Sequence, residues 1–290
     1  MGSVQLDPLA LAQHHVRSGL PGKALDDLRQ AGADFDNPVY WRVTAAAYLG
    51  LQRPEEALGA ALQGLTLDPQ DVALLDMRAL AELSLHEYDA ALSTLDRAVS
   101  LAPRDVALLS HRALALAYVG NAVAARIAVN EVRELDPESV GVLQTRAQVA
   151  KITGDGNLGL YVGDLLAVDP ENRVGHILRG ADATARKDYG AMKESYEEAA
   201  YLNPSNESLA KAARSARVFT HPAMAPSRLI FTVGIWRFRF LLIAAFALLT
   251  ALNHGTLQVV LFLATLALAV YTRVAPAAVR RAEARKWGDV

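Results

Sequence analysis

The residues that could carry chemistry are few, and their spacing argues against each chemistry in turn. Gly154-Asp155-Gly156-Asn157-Leu158-Gly159 spells G-x-G-x-x-G. A dinucleotide site needs that motif between a strand and a helix of a βαβ unit. Here it follows the helical pattern Val142 to Ile152 and falls at an expected turn between two helices. The seven histidines (14, 15, 86, 111, 176, 221 and 254) include no H-x-x-x-H, and His14 and His15 point apart on a helix, so no metal-ligand spacing arises. Paired carboxylates (Asp26-Asp27, Glu55-Glu56, Glu197-Glu198) sit at helix starts or on solvent faces, where they complement the helix dipole. No serine has a nucleophile elbow around it. There is no cysteine, which removes disulfides, thiolate zinc sites and a cysteine nucleophile. The expectation is a protein that is not an enzyme, with no cofactor, no metal and no small-molecule substrate.

The elements behind these residues repeat. Five tripeptides end in proline: Leu67-Asp68-Pro69, Leu101-Ala102-Pro103, Leu135-Asp136-Pro137, Val168-Asp169-Pro170 and Leu202-Asn203-Pro204. The prolines lie 34, 34, 33 and 34 residues apart. A fixed period near 34 marks an array of helix pairs. Ten residues after each proline sits a small residue (Ala79, Ala113, Ala147, Gly180). Others recur twelve before the next proline (Ala57, Ala91, Ala125) and five before it (Gly64, Ala98, Ala199). Small residues are required where helices cross closely. Each proline stops the helix before it, because it lacks a donor and drives the preceding residue out of the α region. Breakers also mark the turn inside each pair, among them Gln52-Arg53-Pro54, His86-Glu87-Tyr88 and Gly120-Asn121.

Residues 5–204 thus resemble the tetratricopeptide repeat family. The match is fullest over 38–69, with Trp41, Tyr48, Ala57 and Pro69 in place. It is good over 72–103, 106–137 and 173–204, and thinner over 5–35 and 140–170. The resemblance implies an all-α, tetratricopeptide-type helical-repeat superhelix of about six helix pairs. A capping helix over 203–218, begun by Ser205 or Asn206, would close the 1–217 repeat domain. It also implies that the first helix of each pair lines a concave groove for a partner protein or peptide. The groove positions then carried over are Arg42, Ala46 and Leu49; Asp76, Leu80 and Leu83; Ser110, Leu114 and Ala117; Gln144, Gln148 and Lys151. Ile177, Ala181 and Thr184 continue the row. The middle is apolar and small and the ends are polar, which suits an amphipathic helix as ligand. Members that grip a C-terminal carboxylate use basic residues and asparagine at these positions; only Arg42 and Lys151 are basic here.

A different rule governs the rest. Residues 218–239 carry a proline-bearing stretch (His221 to Ser227) and read as a linker or interfacial segment. Phe240 to Asn253 and Gly255 to Thr272 are uncharged and almost wholly apolar, expected as two transmembrane helices over 240–272 turning at Asn253-His254-Gly255. Residues 273–290 form a basic tail. Arg237 and Arg239 flank one side and Arg273 the other, with Trp236 and Tyr271 at the membrane interface. None of the basic residues stands in the turn, so both flanks are expected in the cytoplasm. From Val218 onward eight Arg/Lys oppose Glu283 and Asp289. This +6 leaves −8 for residues 1–217 of a chain whose net charge is −2. An acidic body argues against nucleic acid as a partner; a basic apolar tail argues for a bilayer. Met1 to Ala10 shows no secretory n-region. Arg outnumbers Lys 23 to 6, which points to a GC-rich bacterial source. The sequence therefore reads as a scaffold in the cell inner membrane, two-pass, with repeats and C-terminus cytoplasmic. The alternative is an assembly subunit of a membrane complex that makes its main contact through the hairpin.

Overall fold

The computed structural model describes residues 7–31, 35–204, 206–228, 235–251 and 255–287. Every regular element among them is helical. Two compact units are present, residues 1–169 and 170–290.

The first unit holds five helix pairs: α1 (Pro8–Arg17) with α2 (Pro21–Ala31), α3 (Pro38–Gly50) with α4 (Pro54–Leu67), α5 (Val72–Ser84) with α6 (Tyr88–Leu101), α7 (Val106–Tyr118) with α8 (Ala122–Leu135), and α9 (Val140–Thr153) with α10 (Leu158–Val168). The sequence dictates their ends. Two residues after Pro69 and Pro103 come Asp71 and Asp105, and each aspartate accepts hydrogen bonds from the first-turn amides of the next helix, Leu74 N at 3.0 Å and Ala107 N at 2.9 Å respectively. Asn37 caps α3 in the same way.

The turn inside each pair is equally uniform. Gln52, His86, Gly120 and Gly154 adopt φ of 58°, 65°, 85° and 69°, and Gly19 of 70°. The amide of the following residue then donates five residues back: Arg53 to Tyr48 O, Glu87 to Glu82 O, Asn121 to Leu116 O, Asp155 to Ala150 O, Leu20 to His15 O. This closes each first helix with a left-handed residue and a 6→1 bond. Gln52 and His86 hold that conformation without glycine's freedom.

The core is built of small residues. Ala57, Ala79, Ala91, Ala98, Ala113, Ala125 and Ala147 are fully buried, and Leu74, Leu75, Leu95 and Leu108 fill the space between helices. Gly64 marks the closest approach. A Cβ there would lie 2.6 Å from Leu74 Cδ1 and 2.9 Å from Trp41 Cβ. Glu82 is buried with its charge satisfied: Arg78 Nε donates to it at 2.7 Å and the Thr94 hydroxyl at 2.8 Å, which ties α5 to α6.

The second unit contains a sixth pair, α11 (Arg173–Ala185) and α12 (Tyr189–Leu202), then α13 (Glu207–Thr220). Asn172 and Asn206 cap α11 and α13, through Gly175 N at 2.9 Å and Leu209 N at 3.2 Å. Ala183, Met192 and Ala216 join these three helices in one cluster, with Tyr189, Tyr196 and Phe219 around it. A short 3-10 turn, Pro222–Met224, follows. Arg228 then reaches back, and its guanidinium donates to the Thr220 carbonyl at 2.7 Å, satisfying an acceptor at the end of α13. Two apolar helices complete the chain, α14 (Ile235–Ala251) and α15 (Gly255–Trp287). They touch through Gln258 and Thr250, whose amide and hydroxyl are hydrogen-bonded. The basic tail over 273–287 is no separate element. It continues α15 through Pro276 as one helix of 33 residues.

Candidate partner groove and apolar C-terminal helices

Within the first unit the first helices form a continuous layer, α1 on α3, α3 on α5, α5 on α7 and α7 on α9. Among the described residues no two second helices touch as extensively. A stack crowded on one side and spread on the other curves toward the crowded side. The first helices therefore line the inner face of this unit.

The twelve positions expected to form the groove differ in exposure. Ala46, Leu49, Asp76, Leu80, Gln144 and Gln148 are half-buried on the first helices, and Lys151 is exposed. Leu83 and Leu114 are half-buried too but pack against core clusters, beside Leu95 and Leu116 respectively. Ser110 and Ala117 are buried at 6 % and 4 %, so they form floor rather than contact surface. Arg42 sits with Nε 3.3 Å from Asp71 Oδ2, close enough for charge attraction but not aligned as a hydrogen bond. The remaining free apolar surface is the strip Ala46, Leu49 and Leu80.

Two partners on this face did not stand out in the sequence. His111 Nδ1 lies 2.6 Å from Asp76 Oδ1, tying α7 to α5, and Asp71 serves both Arg42 and the α5 N-terminus. Asp76 and His111 are 35 residues apart, one repeat plus one, and that spacing was the available signal.

Other charges work in the fabric of the helices. Arg146 stacks 3.8 Å over the Tyr161 ring and bonds Asp164 at 3.2 Å, joining α9 to α10. Arg112 bonds Asp96 and Arg217 bonds Glu197. On the surface, Tyr88 and Tyr118 stack with ring centroids 4.8 Å apart. Partial burial pushes the Tyr118 phenol above its usual range, and the neighbouring Tyr88 adds to this. A hydrogen bond from Arg53 holds the exposed Glu56 carboxyl below the usual carboxylate range.

The glycine motif is turn chemistry. Gly154 supplies the left-handed residue that ends α9, and Asp155 Oδ1 accepts from the Asn157 amide at 2.9 Å before α10 begins. The motif lies between two helices, where the βαβ fingerprint would need a strand before it.

The C-terminal helices differ in kind. One helix among the described residues, Gly255–Val279, is long and apolar enough to cross a membrane, and none of its apolar window is buried. Phe240 to Thr250 is apolar but shorter. Of the expected interface residues, Tyr271 is half-buried against Met224, Ala275 and Val279. The side chains of Trp236, Arg237, Arg239 and Arg273 lie outside the described residues, as do Ser205 and the expected turn at Asn253-His254.

No protein-family model and no curated protein matches the sequence. Solved structures do match the fold. A tetratricopeptide repeat protein from Parabacteroides merdae ATCC 43184 superposes with a TM-score of 0.65 at 17 % identity, covering 72 % of this chain and 83 % of that one. A thermophilic TPR protein from Thermus thermophilus gives 0.57 at 18 % identity, covering 63 % and 100 %. PilW, a widely conserved type IV pilus biogenesis factor, gives 0.56 at 17 % identity, covering 72 % and 99 %. The chain has the tetratricopeptide-type helical-repeat fold.

Proposed function

We propose that this protein is a membrane-anchored, non-catalytic scaffold that binds a peptide or helix of a partner protein on the inner face of its repeats. The organisation proposed is a 1–217 repeat domain, a 218–239 linking segment, two membrane helices over 240–272 and a basic 273–290 tail. Repeats and tail would lie on the cytoplasmic side of the inner membrane. Binding at a membrane raises the local concentration of whatever the repeats hold.

The observation that carries the reading is the exposure of apolar surface in two places. Leu80, with Ala46 and Leu49, is left half-buried on the inner face. Along Gly255–Val279 the apolar window is wholly unburied, and water is a poor solvent for both surfaces. The partner helix would present an apolar stripe to Leu49 and Leu80 and polar ends to Arg42, Gln144, Gln148 and Lys151.

The test uses detergent-solubilised full-length protein and its Leu80→Asp variant as bait. A specific co-purifying protein should be lost from the variant, with the helical circular dichroism unchanged. An identical set of partners would sink the groove. Fractionation tests the anchor, since full-length protein that stays in a detergent-free supernatant overturns it. The alternative, an assembly subunit working through the hairpin, is favoured by the open apolar face of α15.

A further inference from the structure

That face of α15 carries more than the alternative requires. We propose that it seats the transmembrane helix of a different protein, one with acidic residues on its cytoplasmic flank; this rests on the membrane placement proposed above.

An open apolar cavity of about 740 Å³ runs along one side of α15, from Leu263 through Ala267, Val270 and Val274 to Ala278, with Ala223 at its rim. The spacing of 4, 3, 4 and 4 residues makes a straight seam on one helix face, the pattern that receives a second helix. Ala267 and Ala278 allow close backbone approach. No described residue of α14 lines it. The hydrogen bond that joins α14 to α15 is at Gln258, about 140° round the helix from Leu263 at 3.6 residues per turn.

The seam's length limits the occupant. A hydrocarbon core of about 30 Å takes about 20 residues, so a span beginning at Gly255 is complete near Val274. Acyl chains can cover Leu263 to Val270. They cannot cover the upper end, where Val274 is 56 % exposed and Ala278 is exposed as well. Whatever covers both ends must itself pass from the bilayer into the aqueous phase, as a membrane helix with a cytoplasmic extension does.

Charge decides between a second copy and another protein. Beyond Thr272 the chain carries Arg273, Arg280, Arg281, Arg285 and Lys286 against Glu283 and Asp289. Two copies paired side by side along the seam would set these flanks about 10 Å apart, a distance comparable with the Debye length. Like charges there oppose pairing. An acidic flank at the same place is attracted, and Arg281 is exposed to meet it.

The test uses the whole chain in phosphatidylcholine vesicles, with a donor fluorophore on Val290→Cys, the chain having no native cysteine. The probes are acceptor-labelled synthetic Leu/Ala transmembrane peptides ending in four Glu or four Lys. The expected result is saturable energy transfer to the Glu peptide, at least tenfold weaker transfer to the Lys peptide, and loss of the Glu signal in Ala278→Trp, which fills the seam without disturbing buried side chains. An Arg281→Glu, Arg285→Glu variant should lose the preference. Equal response to both peptides, no transfer to either, or transfer between differently labelled copies of the chain at the same dilution overturns the proposal. Flotation on a density gradient separates the two failures. A chain that does not float with the vesicles removes the membrane placement and this proposal together; one that floats without discriminating the peptides removes only the latter.

Discussion

Helices α7 and α15 are both apolar, yet they solve opposite problems. In α7, Leu108, Ala113, Ala115, Leu116 and Ala117 are all at most 7 % exposed, taken from water by α6, α8 and α9. In α15, Leu257, Val260, Leu263, Leu266 and Val270 are all at least 50 % exposed. Burying apolar surface is worth about 25 cal/mol per Å². The repeats obtain that stabilisation from neighbouring helices; on the reading proposed above, α15 obtains it from a bilayer. Length separates the two as much as composition does. The 13 residues of α7 cannot cross a bilayer, whereas the 25 residues of Gly255–Val279 can.

Shortening one leucine in each region gives the sharpest contrast. Leu74 is fully buried beside Gly64 and Trp41. Leu74→Ala should cost about 2–5 kcal/mol, read as a lower thermal midpoint of the repeat helices by circular dichroism in detergent. Leu263→Ala should leave that midpoint in place. Equal losses from both would mean that the α15 face is packed after all, and the contrast would fail.

Next in size is a charge on the exposed face. In the proposed span Leu263 lies near the middle, where an arginine costs about 2.5–3.5 kcal/mol of insertion free energy. Leu263→Arg should lower the fraction of protein resisting carbonate extraction from membranes, with the repeat midpoint unchanged. Unaltered extraction would mean that α15 does not face lipid at this position.

These two regions were not equally legible in the sequence. The proline period located the second to sixth helix pairs, because proline acts locally on the residue before it. The same punctuation held a second message: Asp71, Asp105, Asn172 and Asn206, each two residues past a proline, start the next helix. The groove was less legible. Ser110 and Ala117 occupy the registers of Asp76 and Leu49 but end up buried, because how far a side chain emerges depends on the spacing of successive first helices, not on its place in the repeat. The Asp76–His111 pair arises from the same inter-repeat spacing. The continuity of α15 through Pro276 was hidden for another reason. Proline inside a helix forfeits one backbone hydrogen bond and crowds the carbonyl four residues back, at about 3 kcal/mol, and the packing of Ala275 and Val279 with Met224 and Val218 beside it is a tertiary contact that local pattern does not reveal.

The turns test how far local backbone preference, rather than packing, shapes the repeats. Gly120 has φ of 85° with nothing within 4 Å of a Cβ, so Gly120→Ala meets no neighbour and costs only backbone strain, about 1–2 kcal/mol. Gln52 occupies the same left-handed position at φ 58°. Gln52→Gly should relieve its strain and raise the thermal midpoint, by about 1 kcal/mol or less after the added freedom of the unfolded chain. Opposite shifts from the two variants are expected. Shifts of the same sign would mean that side-chain contacts, not φ, decide these turns.

The smallest effect belongs to the exposed surface of the repeats. The Arg53 hydrogen bond lowers the Glu56 carboxyl from its reference value of 4.5. A carboxyl whose folded pKa is depressed contributes stability above its unfolded pKa and loses it as pH falls through the folded one. Acidification below about 4.5 should therefore weaken the folded state slightly through this group. The Glu56 side chain is 38 % exposed and that of Arg53 50 %, so a pair of this kind, three residues apart at a helix start, is screened by water and salt. Carboxyl NMR titration should show the Glu56 pKa rising toward its reference value in Arg53→Ala, while the thermal midpoint at neutral pH stays within error. A large midpoint shift would place this surface pair on the same footing as the buried alanines. The repeats would then owe their stability to charge as well as to close packing, and their contrast with α15 would rest on more than the burial of apolar side chains.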